Sequence, residues 1–252
     1  MSIDHVFQSI EQCIGPYYKK RLKLFQDLIG TRIIDALLYM PISTIEKFEV
    51  NELSNNIINK HIITSINVLS IEYSNYSKTK PIVILGNVGD NQLELLFFNY
   101  KPVYLKGNFE VGKTTKITGK LTMSSTNTYQ IINPQKATLK TTPGIYSIYP
   151  LRTGITMESI YSIIKTALNI LRNINIPEWL PEYIINKYQF YSFYGSLLAI
   201  HNPQTSDTSL LNNIYRRRLC FDEVFAEQLT IQISKSKKQI GKSIGGSKVL
   251  IN

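Results

Sequence analysis

The spacing of hydrophobic positions changes twice along the chain. Near the N-terminus it is helical, because Val6, Ile10 and Ile14 fall on one face of "IDHVFQSIEQCI". Two more short helices are predicted in "GPYYKKRLKLFQDL" and in "TRIIDALLYM", the last with a cap at Thr31. The "IGP" link between the first two is typical of a helix-hairpin-helix, whose turn amides can receive a phosphate. Apolar and polar residues alternate from His61 onward, and helical spacing returns after residue 140.

The alternating region predicts five strands. They are "HIITSINVLSIEY", "KPIVILGNV", "QLELLFFN", "TKITGKLTM" and "TYQIINP", and the turn "GDN" joins the second to the third as a hairpin. The longest connection lies between the third and fourth strands, which is the order of an OB-fold barrel. The predicted fold class is α+β: a five-stranded OB-fold barrel at 58–140, a helical N-terminal element at 1–57 and a helical connector at 141–252.

The segment "GNFEVGKT" fits the phosphate-binding loop pattern, with Gly107, Gly112, Lys113 and Thr114 in the defining positions. A phosphate loop must lead into a helix, whose amides face the phosphates. The residues after it alternate with period two, with Lys116 and Lys120 on the polar face of a half-buried strand. We therefore expect Gly112 to be a turn glycine and Lys113 a solvated charge, and a nucleotide hydrolase using Gly107–Thr114 is the less favoured alternative.

The segment "LCFDE" resembles the strand and paired acids of an ATPase, but its surroundings predict a helix. Ile214, Phe221, Phe225 and Leu229 share one helical face with Leu211. The acids are then expected to be solvent-facing and to pair locally with the arginines of "RRR". His201, at the end of the predicted helix "SFYGSLLAI" with a cap at Ser192, is expected to be a packed or capping histidine.

Charge and cysteine content narrow the function classes. The net charge is +10, and residues 61–140 hold nine basic and four acidic side chains, which suits a polyanionic partner. Cys13 and Cys220 have no metal-ligand spacing and are expected to be buried thiols in a reducing compartment. We expect no catalytic residues, no metal and no cofactor in this chain. No apolar run is long enough for a membrane span, and we expect a bacterial cytoplasmic protein.

Aromatic side chains next to lysines suggest how the barrel binds nucleic acid. OB-folds hold single strands by stacking bases on aromatic rings within a basic groove. Neighbouring strand residues point to opposite faces, so only one of Phe97 and Phe98 can line the core. The predicted DNA-binding residues are Phe97, Phe98, Asn99, Tyr100, Lys101, Tyr104, Lys106, Lys116 and Lys120. Tyr104 has an alternative role as a plug for one end of the barrel.

The run "LLFFNYKPVYLKGNFEVGKTTKITGKL" resembles the wedge domain of the bacterial RecG family of ATP-dependent helicases for branched DNA. The segments "CIGPYYKKRLKLF", "DALLYMP", "IINP", "IYPLRTGIT", "LPEYI", "LLAIHNP" and "RRRLCFDEVFAEQL" follow in the order of that family. The family's base-stacking positions match Phe98 and Tyr104. The connection "NYKPVYL" is two residues longer than usual, and "MPISTIEKFEV" replaces a strongly basic segment.

The resemblance implies a wedge that splits the arms of replication forks and Holliday junctions in recombination and repair. ATP and Mg²⁺ would bind helicase lobes that should follow the long helix, whereas this chain stops at "KSIGGSKVLIN". We expect it to bind branched or single-stranded DNA without hydrolysing ATP. The alternative is a remnant or split-gene fragment that only docks onto a separately encoded motor half.

Overall fold

The computed structural model describes residues 3–73, 80–100, 102–138, 141–174, 176–204 and 214–244. Its helices are α1 (Leu22–Ile29), α2 (Ile33–Leu37), α3 (Pro102–Lys106), α4 (Met157–Arg172), α5 (Glu182–Tyr188), α6 (Phe193–His201) and α7 (Ile214–Ile244), with short 3₁₀ helices at Ile3–Phe7, Ile10–Cys13, Pro16–Arg21 and Asn55–Ile57. Its strands are β1 (Ser43–Glu49), β2 (His61–Glu72), β3 (Ile82–Val88), β4 (Asn91–Phe97), β5 (Thr114–Met123), β6 (Tyr129–Ile132), β7 (Gln135–Lys136) and β8 (Gly144–Ile148).

The chain divides into two compact units. The helical unit comprises Met1–Ser43 and Ser147–Asn252, and the barrel unit comprises Thr44–Tyr146. This division differs from the predicted segments 1–57, 58–140 and 141–252, because both terminal helical segments contribute to one hydrophobic core. Local periodicity does not indicate that segments more than a hundred residues apart share a core.

Five strands close the barrel, which confirms the predicted OB-like fold. The neighbours around the barrel are β2, β3, β4, β6 and β5, and β5 pairs back with β2. Only the β4–β6 pair in this ring is parallel. The predicted hairpin is present, with Val88 paired to Asn91. Outside the ring, β1 lies parallel to β2 and β7 lies beside β5.

Alternating side chains fill the barrel with apolar groups. Ile117 and Leu121 of β5 are fully buried, whereas Lys120 between them is exposed. Gly119 lies so close to Ile131 of β6 that a Cβ would collide with the isoleucine side chain. Its glycine identity is therefore a packing requirement of the barrel. The connection after β4 contains α3, which the sequence did not predict; it begins at Pro102, a residue suited to the first helical position.

The N-terminal segment differs from the predicted continuous helix. Two 3₁₀ helices are separated at Ser9, which forms a bridge with Arg32 and accepts a hydrogen bond from the Glu11 amide. The side chains of Val6, Ile10 and Ile14 are nonetheless buried, as the spacing predicted. At α2 the cap is not Thr31 but Arg32, whose backbone amide donates to Asp35 at 2.9 Å.

The helical unit buries His201 and Arg218 together with hydrogen-bond partners for each. His201 is buried between Tyr149, whose hydroxyl lies 2.7 Å from Nδ1, and the Leu37 carbonyl, 2.8 Å from Nε2. Because that carbonyl only accepts, Nε2 carries the proton and the tyrosine donates to Nδ1. Burial lowers the pKa of His201, which keeps it neutral. His201 is therefore a packed histidine, as predicted, and the Ser192 cap of α6 is also present.

Arg218 of α7 is the second of these buried residues, and its contact with Asp222 corrects the prediction for that acid, whereas Glu223 is exposed as predicted. Its side chain is 0% exposed and contacts Glu178 at 2.7 Å and Asp222 at 2.8 Å. It also donates to the Tyr191 carbonyl, and Trp179 Nε1 donates to Asp222. The pair forms at helical spacing, as expected for an i, i+4 contact, but tertiary packing removes it from water.

The two cysteines differ in their exposure to solvent. Cys13 is buried, and burial raises its pKa to about 11, but Cys220 is exposed, which corrects the expectation that both thiols are buried. Along the ranges that the structure describes, every helix is too short or too polar to cross a membrane.

Candidate nucleic-acid interface

The end of β4 separates the two adjacent phenylalanines. Phe97 is 2% exposed and packs edge-on against Phe109 and Tyr100, at ring-centroid distances of 5.5 and 5.2 Å. A base cannot stack on this ring, so including Phe97 among the DNA contacts was wrong. Phe98 takes the outward position that the alternation requires and is half-buried.

The turn after β4 holds Phe98 in place through Asn133. The Phe98 amide donates to Asn133 Oδ1 at 2.8 Å, and the Asn133 amide donates to the Leu96 carbonyl at 2.7 Å. Asn99 follows with φ of 61°, a left-handed conformation that asparagine tolerates better than most residues. This conformation redirects the chain, so that Asn99 and Tyr100 are exposed. Phe98, Asn99 and Tyr100 thus form a short polar and aromatic edge at one end of the barrel, which we call the aromatic edge.

Three more of the predicted DNA contacts, Lys101, Tyr104 and Lys106, follow this edge in the sequence. Lys106, at the end of α3, is exposed and lies 5.5 Å from the ring centroid of Tyr73, itself 39% exposed. Tyr73 directly follows the last residue of β2, and the sequence analysis did not single it out as a DNA contact. Lys101 and the side chain of Tyr104 lie outside the described residues.

Lys116 and Lys120 lie on the outer face of β5, where their surroundings differ. Lys116 forms an ion pair with Glu49 of β1 at 2.5 Å, so its charge is already balanced. Lys120 is exposed and pairs in register with His61 of β2. Burial, together with the charges of Lys47 and Lys120, lowers the pKa of His61. Lys120 thus shares a cationic environment with Lys47 and His61, two residues that the sequence analysis did not select as DNA contacts. Such an environment favours an anionic ligand.

The segment "GNFEVGKT" has the structural setting of a turn before a strand. Gly112 has φ of 81°, and its amide donates to the Val68 carbonyl at 2.8 Å. The Lys113 backbone amide donates to the Glu110 carbonyl. The exposed ammonium of Lys113 forms an ion pair with the Glu110 carboxylate at 2.5 Å. Thr114 begins β5. These amides satisfy the barrel's own hydrogen bonds and do not form a phosphate cradle.

Comparison with known proteins places this edge in a family context. The family model described as "RecG wedge domain" matches residues 12–171. The chain is 25% identical to the ATP-dependent DNA helicase RecG of Aquifex aeolicus over 252 residues, covering 93% of this chain and 31% of that protein. It is 24% identical to the RecG of Streptococcus pneumoniae, covering 90% and 32%. The chain thus spans about a third of the length of these relatives.

A solved structure gives the same result for the fold. The structure described as "Structure of RecG bound to three-way DNA junction" superposes with a TM-score of 0.58 at 20% identity, covering 98% of this chain and 35% of that one. The OB-like barrel, its flanking helices and the family match over 160 residues agree with one another. The chain belongs to the RecG wedge domain family.

Proposed function

We propose that the barrel unit is the DNA-binding wedge of a RecG-like ATP-dependent helicase that acts on replication forks and Holliday junctions in recombination and repair. The observation that carries the proposal is the outward, half-buried side chain of Phe98, whose backbone amide donates to Asn133 and which is followed by exposed Asn99 and Tyr100. A partly exposed aromatic ring offers a face on which an unpaired base can stack. The relative bound to a three-way DNA junction supports the same partner class.

The chemistry of binding follows from the two kinds of side chain at the site. Phe98 and, by resemblance, Tyr104 stack on bases that are unpaired at a junction. Lysines such as Lys106 neutralise phosphates, so the affinity falls as salt concentration rises. Stacking tolerates any base, so the site would recognise the structure of the junction and not its sequence.

Fork-DNA binding by the 252-residue chain tests the proposal. The Phe98→Ala variant should weaken binding to a labelled fork by about 1–3 kcal/mol, measured by fluorescence anisotropy. Tyr183→Ala is the matched control, because Tyr183 is 70% exposed on α5 in the other unit. Equal affinities of wild type and Phe98→Ala would reject the stacking role, and no binding by the wild type would reject the proposed function.

We also propose that this chain acts without binding ATP. The amides of Gly112 and Lys113 are engaged by Val68 and Glu110, and the lysine ammonium is paired with a carboxylate. Isothermal titration with ATP and Mg²⁺ should give no heat of binding for wild type or for Lys113→Ala. Binding that Lys113→Ala abolishes would instead favour the nucleotide hydrolase.

A second function, docking onto a motor half, is favoured by the surface of α7. Several of its apolar side chains are exposed: Val224, Phe225, Leu229, Ile231 and Ile233. Phe225 and Leu229 also line a mainly apolar groove of about 1200 Å³ within the helical unit. About two thirds of each RecG relative lies outside the matched region, and that portion is the proposed occupant.

Association of two purified parts tests the docking. A double Phe225→Asp, Leu229→Asp variant should lose binding to a separately expressed motor portion of a RecG relative, as measured by size-exclusion chromatography. Fork-DNA affinity should stay unchanged, because the substitutions lie in the helical unit. Unaltered association would place the docking surface elsewhere, and self-association of the chain alone would identify the groove as a homodimer contact.

A further inference from the structure

A row of outward side chains crosses the barrel, beginning at β4. Leu96 of β4 is paired in register with Ile132 of β6. One position along, Leu121 of β5 pairs with Ile131 of β6, and both are fully buried. Because successive residues alternate, Lys120 and Ile132 are the adjoining outward positions. Lys120 is exposed and Ile132 is 52% exposed, as this alternation requires.

The same row continues across two more strands. Lys120 pairs with His61 of β2, and His61 pairs with Lys47 of β1. Lys47 lies above the Tyr146 ring, at 4.9 Å from the centroid, which orients its ammonium. We call Leu96, Ile132, Lys120, His61 and Lys47 the outer row. It crosses neighbouring strands and follows the curved outer surface of the barrel, so each step is about 4.8 Å and the path along the surface is about 19 Å.

The outer row changes from apolar to cationic along its length. The β4 end presents Leu96 and Ile132, and the β1 end presents three groups that can carry positive charge within about 10 Å. Two acids of the strands that form the row, Glu49 of β1 and Glu94 of β4, already have partners. Glu49, two residues after Lys47, pairs with Lys116, and the Gln130 side chain donates to Glu94 at 2.7 Å. The cationic end is therefore available to an external anion.

The apolar end adjoins the aromatic edge. Phe98 directly follows β4, and the alternation of the strand puts it on the same side as Leu96, two residues earlier. A strand held at Phe98 thus meets an apolar surface first and lysines afterwards. Each nucleotide of a single strand carries both a base and a phosphate, so bases can contact the apolar end of the row and phosphates the cationic end.

We infer that the outer row is a track for single-stranded DNA, which leads one strand from Phe98 over Ile132 to the cations Lys120, His61 and Lys47. The inference rests on the proposed DNA binding and adds the route that the strand takes. The cationic end spans about 10 Å, long enough to contact more than one phosphate of a single strand. Protonated His61 strengthens the contact, because a bound phosphate offsets the repulsion from Lys47 and Lys120.

Tail-length dependence tests the track. Wild type and the double variant Lys47→Ala, Lys120→Ala are titrated with duplexes carrying single-stranded tails of about 4 and about 12 nucleotides, a range that matches OB-fold sites. The wild type should bind the longer tail more tightly. The double variant should lose about tenfold in affinity for the longer tail at low salt, and its slope of log affinity against log salt should fall by about 1.4.

Two further variants distinguish contacts of the outer row from a general loss of positive charge, and measure the contribution of His61. Lys113→Ala, Lys187→Ala removes the same charge at exposed positions outside the outer row, and should keep the wild-type preference for long tails. His61→Gln should abolish the part of long-tail affinity that wild type gains as pH falls from about 8 to about 6, the range in which histidine titrates. The proposal is overturned if the Lys47/Lys120 variant keeps both the long-tail preference and the wild-type salt slope. If the wild type binds neither tail, the proposed DNA-binding function itself fails.

Discussion

The barrel unit and the helical unit have different interiors. Among the described residues, the buried polar side chains of the barrel unit are threonines, and its charged side chains lie at the surface. The helical unit buries Arg218, Asp222 and His201, each with hydrogen-bond partners. The comparison shows two uses of charge. In the barrel, Lys47, Lys120 and His61 lie at the surface, where they could contact a ligand, whereas in the helical unit the buried charges contact other groups of the fold.

The difference also predicts where single substitutions act. An apolar interior loses stability in proportion to the volume removed. When one partner of a buried ion pair is removed, the other charge remains buried without a counter-charge, and the fold is strongly destabilised. Surface lysines of the barrel can be changed with little effect on folding. Three predictions test this contrast.

The largest effect is expected at Arg218. The Arg218→Ala variant leaves Asp222 and Glu178 without their cation and should lower the free energy of unfolding by about 3–5 kcal/mol. Trp179 is the single tryptophan of the chain and donates to Asp222, so its fluorescence during urea unfolding reports this site. Arg217→Ala, at an exposed neighbouring position, is the control and should stay within about 0.5 kcal/mol of wild type. Equal stability of the two variants would contradict the structural role of the buried group.

Phe97, the last residue of β4, and Phe98, which follows it, should give opposite results within the barrel unit. Phe97→Ala removes a core ring and should lower the free energy of unfolding of the barrel by about 3–5 kcal/mol, at the upper end only if the cavity does not collapse. Phe98→Ala should cost less than about 1 kcal/mol of stability, since its ring is partly solvent-exposed. Hydrogen exchange of barrel amides measures both. A larger loss at Phe98 than at Phe97 would reverse the assignment of the two faces.

The smallest effect concerns His201 and pH. Burial lowers the pKa of His201 in the folded protein, so below about pH 6.5 the unfolded chain binds a proton that the folded chain does not. Stability is therefore retained above that pH and falls as pH decreases towards the lowered pKa, by at most about 1.4 kcal/mol per pH unit. Unfolding followed at Trp179 at several pH values measures this slope.

Two variants assign that pH dependence. His201→Gln should flatten the slope, whereas His5→Gln should keep it. His61 belongs to the barrel unit, so its titration should not affect the Trp179 signal of the helical unit. A slope that persists in His201→Gln would assign the effect to other groups.

The sequence by itself determined the barrel. Period-two alternation fixes which side chains face inward, and turn residues fix the hairpin, so the five strands, the outward position of one phenylalanine and the strand after "GKT" followed from local pattern. These features depend on neighbours close in the chain. The family resemblance came from motifs in order and was confirmed by the match over residues 12–171.

Only the tertiary structure decided which distant residues meet. Arg218 looked like a surface charge, because burial depends on residues 178–191, which no local pattern relates to α7. The outer row could not be predicted either, because Lys47, His61, Lys120 and Ile132 become neighbours only through strand register. Register is set by long-range pairing and side-chain packing, and a spacing pattern gives the face of a side chain but not its neighbour on the next strand.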